Sequence, residues 1–103
     1  MDRIEKLKEF LVSSPDDAFL MHALALEYVK KGDDTRARAL FEKLLQKDEN
    51  YVGSYYHLGL LLERQGEEKL AAYFYEKGMQ IAKATGESHA YNELQAAYEN
   101  LVY

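Results

Sequence analysis

The sequence predicts an all-α fold built from repeated helical hairpins, and three observations point to it. The chain has one proline and six glycines in 103 residues, a composition that suits long helices joined by few turns. The sequence matches itself under a 34-residue shift, which is typical of a repeat. Within each period, apolar residues recur three, four and seven positions apart, as they do on one helical face.

The first predicted element is a helix over residues 2–13, with its apolar side formed by Ile4, Leu7, Phe10 and Leu11. The 34-residue period then covers two stretches, 18–51 and 52–85, in which seven positions are identical. The identical pairs are Leu24/Leu58, Leu26/Leu60, Gly32/Gly66, Ala37/Ala71, Glu42/Glu76, Lys43/Lys77 and Gln46/Gln80.

Each period is predicted to contain two helices joined at a glycine, which supplies a left-handed C-cap without steric strain. Asp33 stands where it can cap the second helix of the first period, and Glu67, a poorer cap, replaces it in the second period. Asp16 and Asn50, which are separated by one full period, are the predicted caps of the two first helices. The predicted core residues are Met21, Leu24, Ala25, Tyr28, Ala37, Leu40, Phe41, Leu44 and Leu45, then Tyr55, Leu58, Gly59, Leu62, Ala71, Phe74, Tyr75, Gly78 and Met79.

The last predicted element is an amphipathic helix over Ser88–Val102, which does not follow the 34-residue register. Its apolar side is formed by Ala90, Tyr91, Leu94, Ala97, Tyr98 and Leu101. The sequence therefore predicts about six antiparallel helices.

The two periods resemble the tetratricopeptide repeat family. The family pattern is matched by Met21, Leu24, Ala25, Tyr28, Ala37 and Phe41, and again by Tyr55, Leu58, Gly59, Leu62, Ala71, Tyr75 and Gly78. The first period departs from it at Leu44, where a small residue is expected, and neither period ends in the expected proline. The resemblance implies one domain over 1–103, divided into a half-repeat (2–17), two repeats (18–51 and 52–85) and a capping helix (86–103).

The resemblance also implies a right-handed superhelix whose concave groove is lined by the first helix of each repeat. The groove positions are Phe19, His22, Leu26, Val29 and Lys30 in the first repeat and Gly53, Tyr56, Leu60, Glu63 and Arg64 in the second. With Lys30 and Arg64 as a basic rim, such a groove suits a peptide or helix that offers an apolar anchor and an acidic group. An alternative is that Phe19, Leu26 and Leu60 only pack against neighbouring helices.

Some family members bind acidic chaperone tails through a lysine and asparagine clamp on this face. Here three of the clamp positions are occupied by His22, Leu26 and Leu60, so the clamp is absent and chaperone-tail binding is not expected. The leading hypothesis is a non-catalytic protein-interaction module, a scaffold or adaptor whose partner is a protein or peptide.

Composition and the lack of sequence motifs argue against several other classes of function. The net charge of −5 argues against nucleic-acid binding, and the absence of cysteine excludes disulfides and thiolate metal sites. The charged N-terminal segment and a longest apolar run of five residues predict a cytoplasmic chain without an export signal or a membrane span. No catalytic or cofactor motif is present, so we expect no enzyme activity and no cofactor.

Two alternatives stay open. The chain is predicted to self-associate if the helix over 2–13 exposes its apolar side and the C-terminal helix exposes Tyr91, Tyr98 and Tyr103. A metal-dependent enzyme that uses His22 and His57 as ligands is the less favoured hypothesis.

Overall fold

A computed structural model describes residues 2–103 and shows six α-helices and no strand in that range. The all-α prediction with six helices is confirmed. None of the helices in residues 2–103 combines the length and the apolarity needed to cross a membrane. The helices are α1 (Arg3–Ser13), α2 (Ala18–Lys30), α3 (Asp34–Lys47), α4 (Gly53–Arg64), α5 (Glu68–Thr85) and α6 (Ser88–Val102).

The chain divides into two compact units, Met1–Glu49 and Asn50–Tyr103, which we call unit 1 and unit 2. In unit 1, α2 packs against both α1 and α3. In unit 2, α5 packs against α4 and α6, and α4 also contacts α6. The helices richest in buried residues are α2 in unit 1 and α4 in unit 2.

The core of unit 1 lies where α2 meets α1 and α3. The predicted residues on α2 are buried, but on α3 Leu40 is only half-buried, so this part of the prediction is wrong. Tyr28 is 8% exposed, and its ring lies 5.9 Å from Lys8 Nζ of α1 and 5.9 Å from Arg36 Cζ of α3. These cation–π contacts link all three helices of unit 1 through one aromatic side chain. The buried residues are Leu7, Met21, Ala23, Leu24, Ala25, Tyr28, Ala37, Phe41, Leu44 and Leu45.

The core of unit 2 is centred on a close approach at Gly78 of α5. A Cβ atom at this position would lie 2.7 Å from Cβ of Tyr55 on α4 and 2.9 Å from Cδ1 of Leu94 on α6. Only glycine therefore lets α5 lie this close to both neighbours. Phe74 and Met79, which were predicted to be core residues, are half-buried. The largest fully buried side chains of unit 2 are Tyr55, Leu58, Leu61, Leu62, Tyr75, Leu94 and Ser54.

The glycine turns between helices share one hydrogen-bonding pattern. Gly32 and Gly66 have φ angles of 78° and 77°, so the predicted left-handed conformation is confirmed. After α2, the Gly32 N–H bonds the Val29 carbonyl at 3.0 Å and the next N–H, from Asp33, bonds the Tyr28 carbonyl at 2.9 Å. This Schellman arrangement satisfies the carbonyls at the end of the helix and reverses the chain in a single tight turn.

Side-chain caps agree with the prediction at α3 and differ at three other helices, one of which is α5, where Glu67 makes no capping hydrogen bond. Asp33 accepts a hydrogen bond from the Arg36 amide at 3.1 Å, which confirms it as the cap of α3. The predicted cap Asp16 is wrong: Asp17 caps α2 through the Leu20 amide, and Asp16 instead pairs with Lys47 at the end of α3. That lysine holds the pKa of Asp16 below its usual range, chiefly through their hydrogen bond.

The helix α4 begins without a side-chain cap. The predicted cap Asn50 is wrong, because the helix starts at Gly53 and is preceded by Val52, which has no acceptor on its side chain. The first amides are satisfied by backbone instead: Ser54 N–H bonds the Tyr51 carbonyl and Tyr55 N–H bonds the Val52 carbonyl, both at 3.2 Å. A tight turn of this 3₁₀ type replaces the side-chain oxygen that the sequence led us to expect.

Candidate peptide-binding faces of α2 and α4

The first four predicted residues of unit 1 follow each other along one side of α2 at intervals of three and four residues, and Lys30 lies four residues after Leu26. Phe19 is 65% exposed, so it does not pack against a neighbouring helix. Leu26 is half-buried, as are His22 and Val29. This face therefore presents one exposed aromatic ring followed by partly accessible aliphatic groups.

The ring of His22 contacts an aromatic neighbour on α3. Its ring centroid lies 5.8 Å from that of Phe41, with the planes inclined by 62°, an edge-to-face arrangement. Within residues 2–103, no three side chains of histidine, aspartate or glutamate come together as a metal site would require.

The charge of Lys30 is shared with a neighbouring carboxylate. Lys30 Nζ lies 3.2 Å from Glu27 Oε2, and Arg3 of α1 reaches the same oxygen at 3.3 Å. The lysine side chain is 73% exposed, and an ion pair in such a setting stabilises a protein by at most about 1 kcal/mol. Lys30 thus remains available to an acidic group that competes with Glu27.

In unit 2, the predicted residues Tyr56, Leu60 and Glu63 lie on one side of α4 at intervals of four and three residues. All three are half-buried, while Gly53 and Arg64 are exposed. The Tyr56 ring contacts the ring of the adjacent His57, with centroids 5.5 Å apart. We call the row formed by Tyr56, Leu60 and Glu63 the α4 stripe.

Glu63 is held by Tyr75, a residue that sequence reasoning placed only in the core. Tyr75 is 0% exposed, and its hydroxyl donates a hydrogen bond to Glu63 Oε2 at 2.5 Å. Burial raises the pKa of Tyr75 well above its usual range, and the bond to Glu63 raises it further, so the hydroxyl stays a donor. The structure thus adds a member to the predicted site from the neighbouring helix α5.

Tyr75 of α5 reaches Glu63 of α4 because α4 has no side chain at Gly59, one turn before Glu63. A methyl group at this position would overlap Cε1 of the Tyr75 ring and lie 2.6 Å from Cδ1 and Cζ. The repeat alignment held a signal for this, because Tyr75 replaces Phe41 and Glu63 replaces Val29 at equivalent positions of the two periods. In the folded unit, the Tyr75 hydroxyl and the Glu63 carboxylate, which have no counterparts in unit 1, are hydrogen-bonded to each other.

His57, one position beyond Tyr56, points into a less polar environment. Burial lowers its pKa below the usual value, and the carboxylate of Glu93 on α6 opposes this effect. The ring is therefore neutral over more of the physiological pH range than an exposed histidine.

A separate cleft of about 310 Å³ lies between α5 and α6, and none of the residues predicted on α2 and α4 lines it. Tyr98 donates a hydrogen bond to Glu76 there, which raises the pKa of Tyr98. Its lining is formed by Glu76, Met79, Gln80, Lys83, Tyr91 and Tyr98. Tyr91 and Tyr98, predicted as an exposed contact surface, are half-buried in this cleft.

Comparison with known families gives two matches. A model described as TPR repeat matches residues 25–66, and a model described as Tetratricopeptide repeat matches residues 52–85. No protein of curated function matches the chain significantly.

Solved structures also resemble the chain. A tetratricopeptide repeat domain protein from Salinibacter ruber is 41% identical, with 85% of this chain and 89% of that one covered and a TM-score of 0.82. A Bordetella parapertussis protein is 25% identical, with 98% and 88% covered and a TM-score of 0.84. The TPR2B domain of yeast Sti1, solved as a complex with pHsp70, is 18% identical, with 95% and 78% covered and a TM-score of 0.88, a likeness of fold alone.

Proposed function

We propose that this chain, which belongs to the tetratricopeptide repeat family, is a non-catalytic protein-interaction module that binds a peptide or partner helix on the faces of α2 and α4. The observation that carries the proposal is the exposure of Phe19, whose ring faces solvent at 65% on a helix where Met21 and Leu24 are buried. An aromatic side chain held on a rigid helix is a typical anchor for a partner.

The chemistry of the two faces defines the partner in part. Phe19 and Leu26 on α2, and Leu60 on α4, offer apolar contacts, while Lys30 and Arg64 offer positive charge for an acidic group. We expect micromolar affinity, about −8 kcal/mol, because two short helical faces bury little area. Binding of pHsp70 is reported for the yeast domain only, and we do not extend it to this chain, which has His22 and Leu26 at clamp positions.

The test uses peptides selected from a random display library on the immobilised full chain. The best peptide is titrated against the wild type and the double variant Tyr56→Ala/Arg64→Ala, which should bind at least about tenfold more weakly. The matched control is Tyr73→Ala, because Tyr73 is 53% exposed on α5, outside both faces. Unchanged binding by a folded double variant contradicts the proposal.

Self-association is a second candidate, favoured by apolar side chains at both ends of the chain. Phe10 and Val12 of α1 are 58% and 83% exposed, and Tyr103 is 97% exposed. Leu7, which the sequence placed on the same surface, is buried and drops out of it. Sedimentation at rising concentration should show a dimer in the wild type and a monomer in Phe10→Ser/Val12→Ser; a monomeric wild type refutes this candidate.

The division of residues 1–103 into one domain with a half-repeat (2–17), two repeats (18–51 and 52–85) and a capping helix (86–103) stays a prediction. We propose it together with the role of scaffold or adaptor. Its support is the 34-residue register, which the glycine turns after α2 and α4 both follow.

A further inference from the structure

We propose that Glu63 binds a positively charged side chain, lysine or arginine, of the bound peptide, and that Tyr75 positions Glu63 for this contact. The inference rests on the proposed function, since it names the chemistry of one position on the same face. It adds a positive group to a partner that was otherwise characterised by an apolar anchor and an acidic group.

The position of Glu63 on the α4 stripe supports the proposal. It follows Tyr56 and Leu60 along the α4 stripe, and each of these residues keeps part of its surface accessible. A peptide segment lying along the stripe therefore meets an aromatic ring, an aliphatic group and a carboxylate in turn. The carboxylate at the end of the stripe suits a cation, which can form a charge-assisted hydrogen bond with it.

The second argument is that Glu63 is held before any partner arrives. The Tyr75 hydroxyl engages Oε2 at 2.5 Å, and Tyr75 itself is immobilised by complete burial. A carboxylate has about four lone-pair sites, so one bond to Tyr75 leaves capacity for donors from a ligand. Fixing the side chain in advance lowers the entropic cost of ordering it when a partner binds.

The third argument comes from the equivalent positions of unit 1. Val29 and Phe41 stand there without a carboxylate or a hydroxyl, and Phe41 is nonetheless 0% exposed. The helical hairpin thus packs well without the polar pair. Because packing does not require Glu63 and Tyr75 to be polar, their polarity points to a function on the surface of unit 2.

Arg64, the neighbour of Glu63, does not replace the proposed cation. The charge of Arg64 acts on the Tyr75 hydroxyl, but Arg64 is exposed and follows Glu63 directly along α4. Arg64 also already has an interaction of its own within the described residues. Charge supports the choice of a cationic ligand, since unit 2 carries four lysine and arginine residues against seven glutamates.

The experiment extends the peptide selection described above. We expect peptides enriched on the wild-type chain to carry lysine or arginine, and the best of them to bind Glu63→Gln about tenfold more weakly, with a smaller dependence on salt. The glutamine amide oxygen can still accept from Tyr75, so the thermal midpoint should change little. Replacing the basic residue of the peptide by norleucine should weaken binding to the wild type equally and have no further effect on Glu63→Gln.

Tyr75→Phe tests the positioning role. Loss of the hydroxyl should weaken binding of the basic peptide while leaving its norleucine analogue unaffected, a difference that a merely structural role would not produce. If the enriched peptides lack basic residues, or if Glu63→Gln binds as tightly as the wild type, the inference is wrong while the proposed function stands on the Tyr56→Ala/Arg64→Ala result. If the library yields no binding peptide, both this inference and the proposed function are contradicted. Should Glu63→Gln fail to fold, the norleucine peptide on the wild-type chain decides the question.

Discussion

Unit 1 and unit 2 each contain a helical hairpin of the same kind, and three of the equivalent positions at which their side chains differ lie close together in unit 2. Phe41 on α3 and Tyr75 on α5 are both 0% exposed, yet only Tyr75 carries a hydroxyl, and only Glu63, the equivalent of Val29, is a carboxylate that receives it. The equivalent pairs, each separated by one period, are Ala25 and Gly59, Val29 and Glu63, and Phe41 and Tyr75.

This difference between the units shows that one buried hydroxyl group places requirements on the residues at two other positions. A buried hydroxyl needs a hydrogen-bond partner, which Glu63 provides, and the ring that carries it needs the space that Gly59 leaves. In unit 1 the apolar Phe41 needs neither, and Ala25 keeps its methyl group. The following predictions test this coupling.

The largest effect is expected for Gly59→Ala. The new methyl group would overlap the Tyr75 ring, which is enclosed by the core and tied to Glu63, so the ring cannot move away easily. We expect the free energy of unfolding to fall by about 3 kcal/mol, measured by chemical denaturation followed by circular dichroism.

The reverse change in unit 1 is the control for that prediction. Ala25→Gly should destabilise by about 1 kcal/mol through helix propensity and the loss of one buried methyl group. The triple variant Gly59→Ala/Glu63→Val/Tyr75→Phe, which gives unit 2 the residues of unit 1, should be more stable than Gly59→Ala alone. A triple variant less stable than the single one would show that the three positions are not coupled.

A smaller effect is expected for Tyr75→Phe. The substitution leaves the half-buried carboxylate of Glu63 without its donor, and we expect a loss of about 1.5 kcal/mol in denaturation experiments. The matched change, Phe41→Tyr, places a hydroxyl opposite Val29 and should also destabilise. Adding Val29→Glu to Phe41→Tyr should restore part of that loss; an additive result would contradict the comparison.

The dependence of the free energy of unfolding on alkaline pH provides the third test of the comparison. The pKa of Tyr75 is raised in the folded state, so its contribution is fully present below the unfolded value near 10 and is lost as the pH rises above it. Between about pH 10 and 11, the wild type should therefore lose stability more steeply than Tyr75→Phe. Tyr98→Phe is the control, because Tyr98 also has a raised pKa but is less buried and should change the slope less.

The smallest effect is expected for His57 at acidic pH. Its folded pKa is lowered by burial, so the stability of unit 2 is present above the ordinary value of 6.5 and declines as the pH falls below it. His57→Ala, which copies the equivalent Ala23 of unit 1, should flatten the decline between about pH 6.5 and 5 by less than about 1 kcal/mol.

Much of the fold could be predicted because it follows from local patterns. The 34-residue period, the glycine turns and the spacing of apolar residues determine where helices begin and end, and the predicted span of α6, Ser88–Val102, agrees with the structure. Helix caps were harder to predict. Asp16 and Asp17 are chemically identical neighbours, and only the backbone path decides which of them accepts from the Leu20 amide.

The candidate site could be predicted in its membership but not in its contacts. Spacing placed Tyr56, Leu60 and Glu63 on one side of α4, because helical periodicity is a property of the sequence. The sequence did not predict Tyr75 as a site residue, because its ring belongs to the core and only its hydroxyl oxygen reaches the site. Such a contact depends on the distance between two helices, here set by Gly59, which no periodicity reveals.

Each helix of the two units packs against the helix that precedes or follows it in the chain. The hydrogen bond between Glu63 and Tyr75, for example, joins residues only 12 positions apart and closes across a single glycine turn. Contacts of this kind close short loops, and domains dominated by them fold in microseconds to milliseconds. An unfolded molecule of this protein should therefore spend little time with its apolar side chains exposed, and stopped-flow refolding should be complete within the dead time or shortly after it.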